Sequence, residues 1–246
     1  MKFAICVAWH NETQKDNFLK KWDITKIPDY LILQQDLGWK NCAKTKNLAI
    51  EEALRRNAEI IVVLDDDCFP TTFSRSFADC LTSFAAYHIE ALKPQPFELF
   101  EAVTDPPSRG TTYQNRTVIL PVAASMGFWD GIPDYDALSQ LVHKDKKMTF
   151  HQKLMFWRFF PFSGMNCAFS AEFWPHFKFD EEHQRFDDIF MGYRLQREAY
   201  KRGYCISLKG PIVYHSRQSN VWANLKVETE NLEKNETYWK EMAGFF

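Results

Sequence analysis

Apolar and polar residues follow one another in regular blocks along the first third of the chain. Mostly apolar runs at residues 2–8, 30–33 and 60–64 predict buried strands. Between these runs, residues 17–22 and 42–56 have the spacing of helices with one apolar face. The order strand, helix, strand, helix, strand predicts an α/β fold with a parallel, doubly wound sheet and right-handed crossovers.

The remainder of the chain is predicted to complete a single domain that spans residues 1–246. Four prolines between residues 94 and 107 mark a change of subdomain. We expect a nucleotide-binding half (about 1–105), a sugar- and acceptor-side half (about 106–226) and a polar, helical C-terminal tail (227–246). The further predicted elements are helices at 74–87 and 185–201 and strands at 117–120, 204–208 and 212–214.

Composition limits the possible function classes. The 246 residues are 46% hydrophobic and 16% aromatic, which is enough for a sizeable core in one domain. The formal net charge of −2 provides no overall attraction for nucleic acids or anionic membranes, and no apolar run is long enough to span a bilayer. Six cysteines without a C-x-x-C pair indicate reduced thiols rather than zinc or disulfides, and predict a cytoplasmic protein.

Three consecutive carboxylates, Asp65, Asp66 and Asp67, come directly after the apolar run at 60–64. Like charges at the end of a buried strand are unfavourable unless a cation neutralises them, and Mg²⁺ and Mn²⁺ prefer oxygen ligands. In open α/β sheets, ligands bind outside the carboxyl ends of the strands. We therefore predict a site for a divalent cation and a phosphorylated substrate here, with a solvated turn as the alternative.

Asp187 and Asp188 form a second carboxylate cluster, at the predicted start of a helix. Acidic residues at this position also suit the helix dipole and can cap the helix, so a structural role is the alternative. Carboxylates brought into one cleft with the first cluster would be suited to deprotonating an acceptor hydroxyl. His215, at the end of a predicted strand, is a candidate metal ligand or else a packed histidine.

Trp129, Asp134, Tyr135 and Asp136 lie in an unusual aromatic and acidic segment. Its rings would form a stacking wall for a sugar whose hydroxyls the carboxylates bind, and an ordinary Pro-Asp turn is the alternative. The basic residues at 143–153 predict a solvated loop, a diphosphate site or a contact with an anionic acceptor such as DNA. The phosphate-binding signatures G-x-x-x-x-G-K-[ST] and G-x-G-x-x-G do not occur, so any phosphate chemistry is expected to depend on a metal.

Several of these segments together resemble the reversibly glycosylated polypeptides, the UDP-arabinopyranose mutase family of plants, which has a GT-A glycosyltransferase fold. The matching segments are Asp-Asp-Asp-Cys-Phe at 65–69, the aromatic segment from Gly127 to Leu141, Gly-Met-Asn-Cys-Ala-Phe at 164–169, Arg-Phe-Asp-Asp at 185–188 and His215-Ser216. They come in the order found in the family and together cover roughly residues 59–226.

The resemblance implies an α/β GT-A fold, in which a Rossmann-like nucleotide-sugar-binding sheet carries an appended acceptor-side subdomain. It also implies a UDP-sugar as the donor substrate and Mn²⁺ or Mg²⁺ as the cofactor. The implied metal ligands are Asp67, Asp65 and His215. The implied nucleotide-sugar contacts are Asp65, Asp66, Trp129, Asp134, Asp136 and Asn166, and the implied catalytic pair is Asp187 and Asp188.

Sequence alone favours a metal-dependent glycosyltransferase that moves a sugar from a UDP-sugar to an acceptor hydroxyl. The connection before the Gly-Met-Asn segment begins with Lys144, Lys146 and Lys147 and lacks there the arginine that the family glycosylates. This departure places a pyranose/furanose mutase second. A subunit that binds nucleotide-sugar without turnover and a metal-dependent nuclease are the further alternatives. The acceptor is left open among a modified DNA base, a protein and a glycan, as are the donor sugar and the oligomeric state.

Overall fold

A mixed seven-stranded sheet forms the centre of the protein. The computed structural model of the chain describes residues 2–71, 80–98, 117–143, 149–216 and 220–243. The strands in these ranges are β1 (Phe3–Trp9), β2 (Leu31–Gln35), β3 (Ile60–Asp65), β4 (Cys68–Pro70), β5 (Gln95–Glu98), β6 (Thr117–Leu120), β7 (Val122–Met126), β8 (Trp129–Gly131), β9 (Leu154–Met155), β10 (Asn166–Ser170), β11 (Cys205–Ser207) and β12 (Val213–His215). The helices are α1 (Glu12–Lys21), α2 (Cys42–Arg55), α3 (Cys80–Ala91), α4 (Ala137–His143), α5 (Trp174–Phe177), α6 (Asp187–Lys201) and α7 (Val221–Ala243), with a 3₁₀ turn at Ala171–Phe173.

The central sheet has the strand order β2-β1-β3-β10-β7-β11-β9. Strand β1 is parallel to both β2 and β3, as the alternation of strands and helices predicts. The sheet as a whole is mixed, because β10 lies antiparallel between β3 and β7, and β9 lies antiparallel to β11. The direction of these short strands depends on contacts between distant segments, which local patterns do not report.

The antiparallel insertion of β10 determines where the site forms. Asn166, the first residue of β10, pairs with Leu64 near the end of β3. The backbone N–H of Asp65 donates a hydrogen bond to the carbonyl oxygen of Met165 at 2.9 Å. The segment that leads into β10 therefore lies beside the aspartates that follow β3.

A small three-stranded sheet, in the order β4-β12-β8, covers the same edge. Strand β12 is antiparallel to β4, with His215 opposite Cys68, and parallel to β8, with His215 opposite Gly131. Strands β5 and β6 form a separate two-stranded sheet. The three-stranded sheet brings together segments that are far apart in the chain, and His215 lies at their junction.

Both faces of the central sheet are buried. In β3, Ile61 and Val63 contribute to the apolar cluster on one face, and Val62 and Leu64 contribute to the cluster on the other. All four side chains have no measurable exposure, at 0%. A strand covered on both sides has no polar face, which explains why the run at 60–64 is apolar without alternation.

Helices agree with the predicted positions to different degrees. Helices α2 and α6 lie where the sequence predicts them, whereas α1 begins earlier, at Glu12, because the side chain of Asn11 accepts a hydrogen bond from the N–H of Gln14 and caps it. Residues 74–79 of the helix predicted at 74–87 and residues 144–148 of the basic run lie outside the described residues. The predicted C-terminal tail is part of a long helix, α7.

None of the six cysteines, all of which lie in the described ranges, forms a disulfide. Across the helices that the structure describes, none is long and apolar enough to cross a bilayer. The division into two halves and the cytoplasmic location stay predictions.

Candidate functional site

A large cleft opens at the edge of the sheet where β3 ends, with a volume of about 1600 Å³. This exceeds the roughly 300–1,000 Å³ of a typical pocket for one small molecule. Its lining includes carboxylates and a histidine from segments that are distant in the chain, namely Asp65, Asp67, Asp134, Asp187, Asp188 and His215. The fold therefore gathers most of the candidate residues around one space.

Asp67 and His215 face each other across the junction of β4 and β12. The Nε2 atom of His215 lies 3.6 Å from Oδ2 of Asp67. The other ring nitrogen, Nδ1, donates a hydrogen bond to the carbonyl oxygen of Ile132 at 2.7 Å, and the N–H of Ile132 donates to the carbonyl oxygen of His215 at 3.0 Å. The imidazole is thus held in one orientation, with Nε2 directed at the carboxylate.

The ionisation of His215 reflects this contact. Burial lowers the pKa of the imidazole, but the hydrogen bond and charge of Asp67 and the contact with Ile132 outweigh burial, so the pKa is raised. A histidine oriented through Nδ1 by a backbone carbonyl, with Nε2 beside a carboxylate, has the donor set and the orientation typical of a divalent-metal ligand. The two side chains therefore offer one oxygen and one nitrogen donor to a divalent ion such as Mn²⁺.

The metal site expected from Asp65, Asp67 and His215 is nevertheless not a three-residue cluster. In the described part of the chain, no group of three or more His, Cys, Asp or Glu side chains has an arrangement suited to a metal ion. Asp65 instead forms an ion pair with Lys46 of α2, at 2.6 Å between Oδ1 and Nζ. Any ion held by Asp67 and His215 would need most of its ligands from substrate phosphates and water.

Lys46 is a site residue that sequence reasoning missed. Its side chain is buried, with an exposed fraction of 5%, and it lines the cleft. Burial lowers the pKa of its ammonium group, but the charge of Asp65 and further negative charges nearby raise it well above the ordinary value. A signal for it existed, since Lys46 lies three, four and seven residues before Ala49, Ile50 and Ala53 on the apolar face of α2.

Gly164 connects this lysine to the second carboxylate cluster. Its carbonyl oxygen accepts a hydrogen bond from Nζ of Lys46 at 3.4 Å, and its N–H donates to Oδ2 of Asp188 at 2.9 Å. A Cβ atom at this position would lie 2.4 Å from the ring of Phe179 and 2.9 Å from Cβ of Asp188. Only glycine allows this close approach, so the orientation of Asp188 depends on it.

Asp187 and Asp188 lie at the start of α6 and share one environment. Burial raises the pKa of Asp187 to about 7, and the neighbouring charge of Asp188 adds to this effect. Burial also raises the pKa of Asp188, although the N–H of Gly164 opposes the shift. Because the two carboxyl groups lie side by side and both have raised pKa values, the pair retains a proton more readily than free carboxyl groups do.

Asp134 completes the acidic side of the cleft. Burial and the charge of Asp188 raise its pKa, while the charges of His215 and Arg185 lower it, and the net value is about 6. Trp129, on β8, also lines the cleft, and its ring packs edge-on against Phe150 at 5.2 Å between centroids. An aromatic ring and carboxylates thus lie in one cleft, as a sugar-binding wall would require.

Asp136, predicted to contact the nucleotide-sugar, has a structural contact instead. Its carboxylate accepts hydrogen bonds from the N–H and the hydroxyl of Ser139 at 2.8 and 2.7 Å. It therefore caps α4, although it also lies along the rim of the cleft. Asp66, between Asp65 and Asp67, is buried and is not among the described residues that line the cleft.

Asn166 is committed to a buried hydrogen-bond network. Its amide nitrogen donates to the carbonyl oxygens of Phe128 and Pro211 at 3.0 and 2.8 Å, and its side-chain oxygen is 2.9 Å from Nε2 of His88. Nδ1 of His88 lies 2.5 Å from the hydroxyl of Ser125. Burial lowers the pKa of His88 to about 4, so its ring is neutral. Asn166 is fully buried and is not among the described residues that line the cleft. Its hydrogen bonds hold the segments of Phe128 and Pro211 beside β10.

The C-terminal helix α7 forms one wall of the cleft, which the prediction of a polar tail did not anticipate. Its side chains Val227, Leu232 and Trp239 line the space. Glu228, also on α7, is buried and forms an ion pair with Arg185, at 2.8 Å. Glu228 does not stand out in the sequence as a site residue, because it is one charged residue among many in a helical segment. Arg185 stands out only as part of the Arg-Phe-Asp-Asp segment at 185–188, without a role of its own.

Comparison with known proteins identifies similar chains. A family model described as "Reversibly glycosylated polypeptide" matches residues 53–246. The chain is 30% identical over 207 residues to "Probable UDP-arabinopyranose mutase 4" of Arabidopsis thaliana, covering 76% of this chain and 54% of that protein. It is 28% identical over 196 residues to "Probable UDP-arabinopyranose mutase 1" of Pisum sativum, covering 74% and 52%. It is also 28% identical over 198 residues to "UDP-arabinopyranose mutase 1" of Arabidopsis thaliana, covering 74% and 53%.

The chain spans about half the length of the curated relatives that it matches. The matched region includes every segment on which the resemblance in the sequence rests, and it extends through α7.

Proposed function

The chain belongs to the reversibly glycosylated polypeptide family, and on this premise we propose that it binds a UDP-sugar in the cleft and interconverts the pyranose and furanose forms of the sugar. Sequence alone places transfer to an acceptor first, but the names of the relatives favour the mutase alternative. The observation that carries the proposal is the convergence of Asp67, His215, Asp134 and the Asp187–Asp188 pair on one cleft.

The diphosphate end of the substrate belongs near Asp67 and His215. These two side chains would hold a Mn²⁺ or Mg²⁺ ion together with diphosphate oxygens. When bound, the ion would neutralise charge on the diphosphate. The ammonium group of Lys46, buried beside Asp65, adds a fixed positive charge to the same floor of the cleft.

The sugar end belongs beside Trp129, Asp134 and the Asp187–Asp188 pair. Conversion of a pyranose into a furanose breaks the bond between the anomeric carbon and one ring oxygen and forms a bond to another oxygen. The old ring oxygen gains a proton, and the hydroxyl that becomes the new ring oxygen loses one, so that no water or acceptor is consumed. A pair of carboxyl groups that shares one proton can donate and accept a proton in the same cycle.

The proposal is tested by incubating the chain with UDP-arabinopyranose and Mn²⁺ and following the sugar by proton NMR while free UDP is measured. We expect a furanose isomer to form while the total UDP-sugar stays constant. Binding of UDP with neither isomerisation nor UDP release would favour the non-catalytic subunit. Cleavage of nucleic acid without affinity for UDP would favour the nuclease.

Transfer to an acceptor is the second candidate, and the size of the cleft favours it. Its volume of about 1600 Å³ leaves room for a second ligand beside a nucleotide-sugar. Exposed apolar side chains of α4 and α7, Leu138, Leu141 and Trp222, line its mouth. Release of UDP that depends on an added peptide, glycan or hydroxymethylated DNA would support this candidate and contradict isomerisation as the main reaction.

A further inference from the structure

We propose that Glu228, on the C-terminal helix α7, is a positioning residue that joins the two acidic walls of the cleft and keeps water from the bound sugar. One wall is the segment that carries Asp134, and the other is the segment that carries Asp187 and Asp188. The shielding of the sugar rests on the proposed function, whereas the joining of the two walls does not. The proposal is carried by the contacts of one buried side chain with two segments that lead directly into the site.

Both oxygens of the Glu228 carboxylate are engaged. Oε1 accepts a hydrogen bond from Nε of Arg185 at 2.9 Å and lies 2.8 Å from a terminal nitrogen of the same guanidinium, with which it forms an ion pair. Oε2 accepts a hydrogen bond from the backbone N–H of Ala137 at 2.6 Å. The exposed fraction of Glu228 is only 3%. A buried carboxylate with charge-assisted hydrogen bonds on both oxygens fixes the geometry of its partners.

The first partner leads to the catalytic pair. Arg185 lies immediately before Phe186 and the start of α6, where Asp187 and Asp188 are located. Its backbone has a φ of +69°, in the left-handed region that a non-glycine residue rarely adopts. Such a conformation persists only where surrounding contacts hold it, and the ion pair with Glu228 is one of them.

The second partner leads to the opposite wall. Ala137 begins α4 and follows the loop that carries Asp134. The positive charge of Arg185 also acts on Asp134, whose pKa it lowers against the larger effect of burial. Glu228 therefore connects the segment of Asp134 with the segment of Asp187 and Asp188, although it is distant from both in the sequence.

Helix α7 is docked on α6 independently of Glu228. The ring of Tyr238 stacks on Phe190 at 4.6 Å, and Trp239 contacts Tyr193 at 5.0 Å between ring centroids. The side chain of Asn231 donates a hydrogen bond to the carbonyl oxygen of Gln184 at 3.2 Å. Helix α4 also packs against α7, so loss of the Glu228 carboxylate should leave α7 attached to α6 and weaken, without abolishing, its link to the start of α4. The cleft would then open more readily between α4 and α7, and water would reach the sugar.

Glu228→Gln is the test variant, since glutamine keeps the size of the side chain and has one acceptor oxygen instead of two. Glu230→Gln is the matched control, because it removes the same charge from an exposed position of the same helix. The first measurement is hydrogen exchange without substrate. We expect loss of protection at residues 133–143 in Glu228→Gln, and unchanged protection in Glu230→Gln. Equal exchange in the two variants would overturn the proposal.

The second measurement is the ratio of free UDP to furanose isomer formed from UDP-arabinopyranose. We expect Glu228→Gln to lower kcat by about 10- to 100-fold through misplacement of the catalytic groups and to raise the share of hydrolysis. A variant that is merely less stable would lose both products in proportion, which would overturn the shielding role. If the wild-type chain forms no isomer, the proposed function fails, while hydrogen exchange still decides whether Glu228 joins the walls.

If Glu228→Gln does not fold, Arg185→Gln cuts the same ion pair and keeps the hydrogen bond from Ala137 to Glu228. We then expect protection of residues 137–143 and the share of hydrolysis to stay as in the wild type, while kcat falls because the segment that carries Asp187 and Asp188 is misplaced. An unchanged kcat in this variant would contradict the positioning role.

Discussion

The ammonium group of Lys46 lies 2.6 Å from Oδ1 of Asp65. This ion pair joins the first half of α2 to the carboxylate at the end of β3, and it gives Asp65 a protein partner. The same lysine donates a hydrogen bond to the carbonyl oxygen of Gly164, and the N–H of Gly164 donates to Asp188 and orients it. The two carboxylate clusters identified in the sequence are therefore connected by a buried cation.

Replacement of Lys46 by methionine should lower the free energy of unfolding by about 3 kcal/mol, because it leaves a largely buried carboxylate at Asp65 without its cation. Lys44→Met is the matched control on the same helix. Lys44 lies over the ring of Trp39 at 4.5 Å, a contact worth at most about 1 kcal/mol. Denaturation by urea measures the free energy of unfolding of the wild type and of both variants. An equal loss in the two variants would show that the ion pair contributes nothing to stability.

Asp67→Asn and His215→Ala should each weaken the Mn²⁺-dependent binding of UDP, since these two side chains are the proposed protein ligands of the ion. Loss of one of two protein ligands is expected to reduce affinity by roughly 10- to 100-fold. Isothermal titration of UDP with and without Mn²⁺ measures the effect. Asp29→Asn, the same kind of substitution at an exposed position, should leave the Mn²⁺-dependent affinity for UDP unchanged. If UDP binding by both site variants depended on Mn²⁺ as strongly as binding by the wild type, Asp67 and His215 would not be ligands of the ion.

Stability should fall with rising pH through the ionisation of Asp187. Its pKa in the folded protein is about 7, above the ordinary value of 3.8, so the native state retains a proton that the unfolded chain releases. The contribution of this group is therefore complete below its unfolded pKa and is lost as the pH rises through about 7. Urea denaturation between about pH 5 and about pH 8 should show a steeper decline for the wild type than for Asp187→Asn. Parallel curves would contradict the raised pKa.

Asn166→Ala should affect stability rather than binding of the substrate. The substitution leaves the buried carbonyl oxygens of Phe128 and Pro211 and the ring of His88 without their amide partner. A loss of about 2 kcal/mol or more in the free energy of unfolding is expected. The affinity for UDP, measured on the folded fraction at low temperature, should change little. A large loss of affinity for UDP with an unchanged free energy of unfolding would instead indicate that Asn166 contacts the nucleotide-sugar.

Local patterns were sufficient for the elements whose burial is uniform. The apolar run of β3 identifies itself as a strand covered on both faces, and the faces of α2 and α6 follow from their periodicity. The five segments between Asp65 and Ser216, taken together, identified the family, because residue identity and order in the chain are sufficient for a family resemblance. The α/β class and the GT-A character were predicted from sequence for the same reason.

Tertiary structure decided which of these residues meet, and in what chemical state. The antiparallel placement of β10, the pairing of Lys46 with Asp65 and the span of Glu228 from α6 to α4 each join segments that are far apart in the chain. The sequence determines the types of side chain and the local helices and strands, since those depend on near neighbours. Distances, burial and shared protons depend on the packing of distant segments, and only the folded chain determines them.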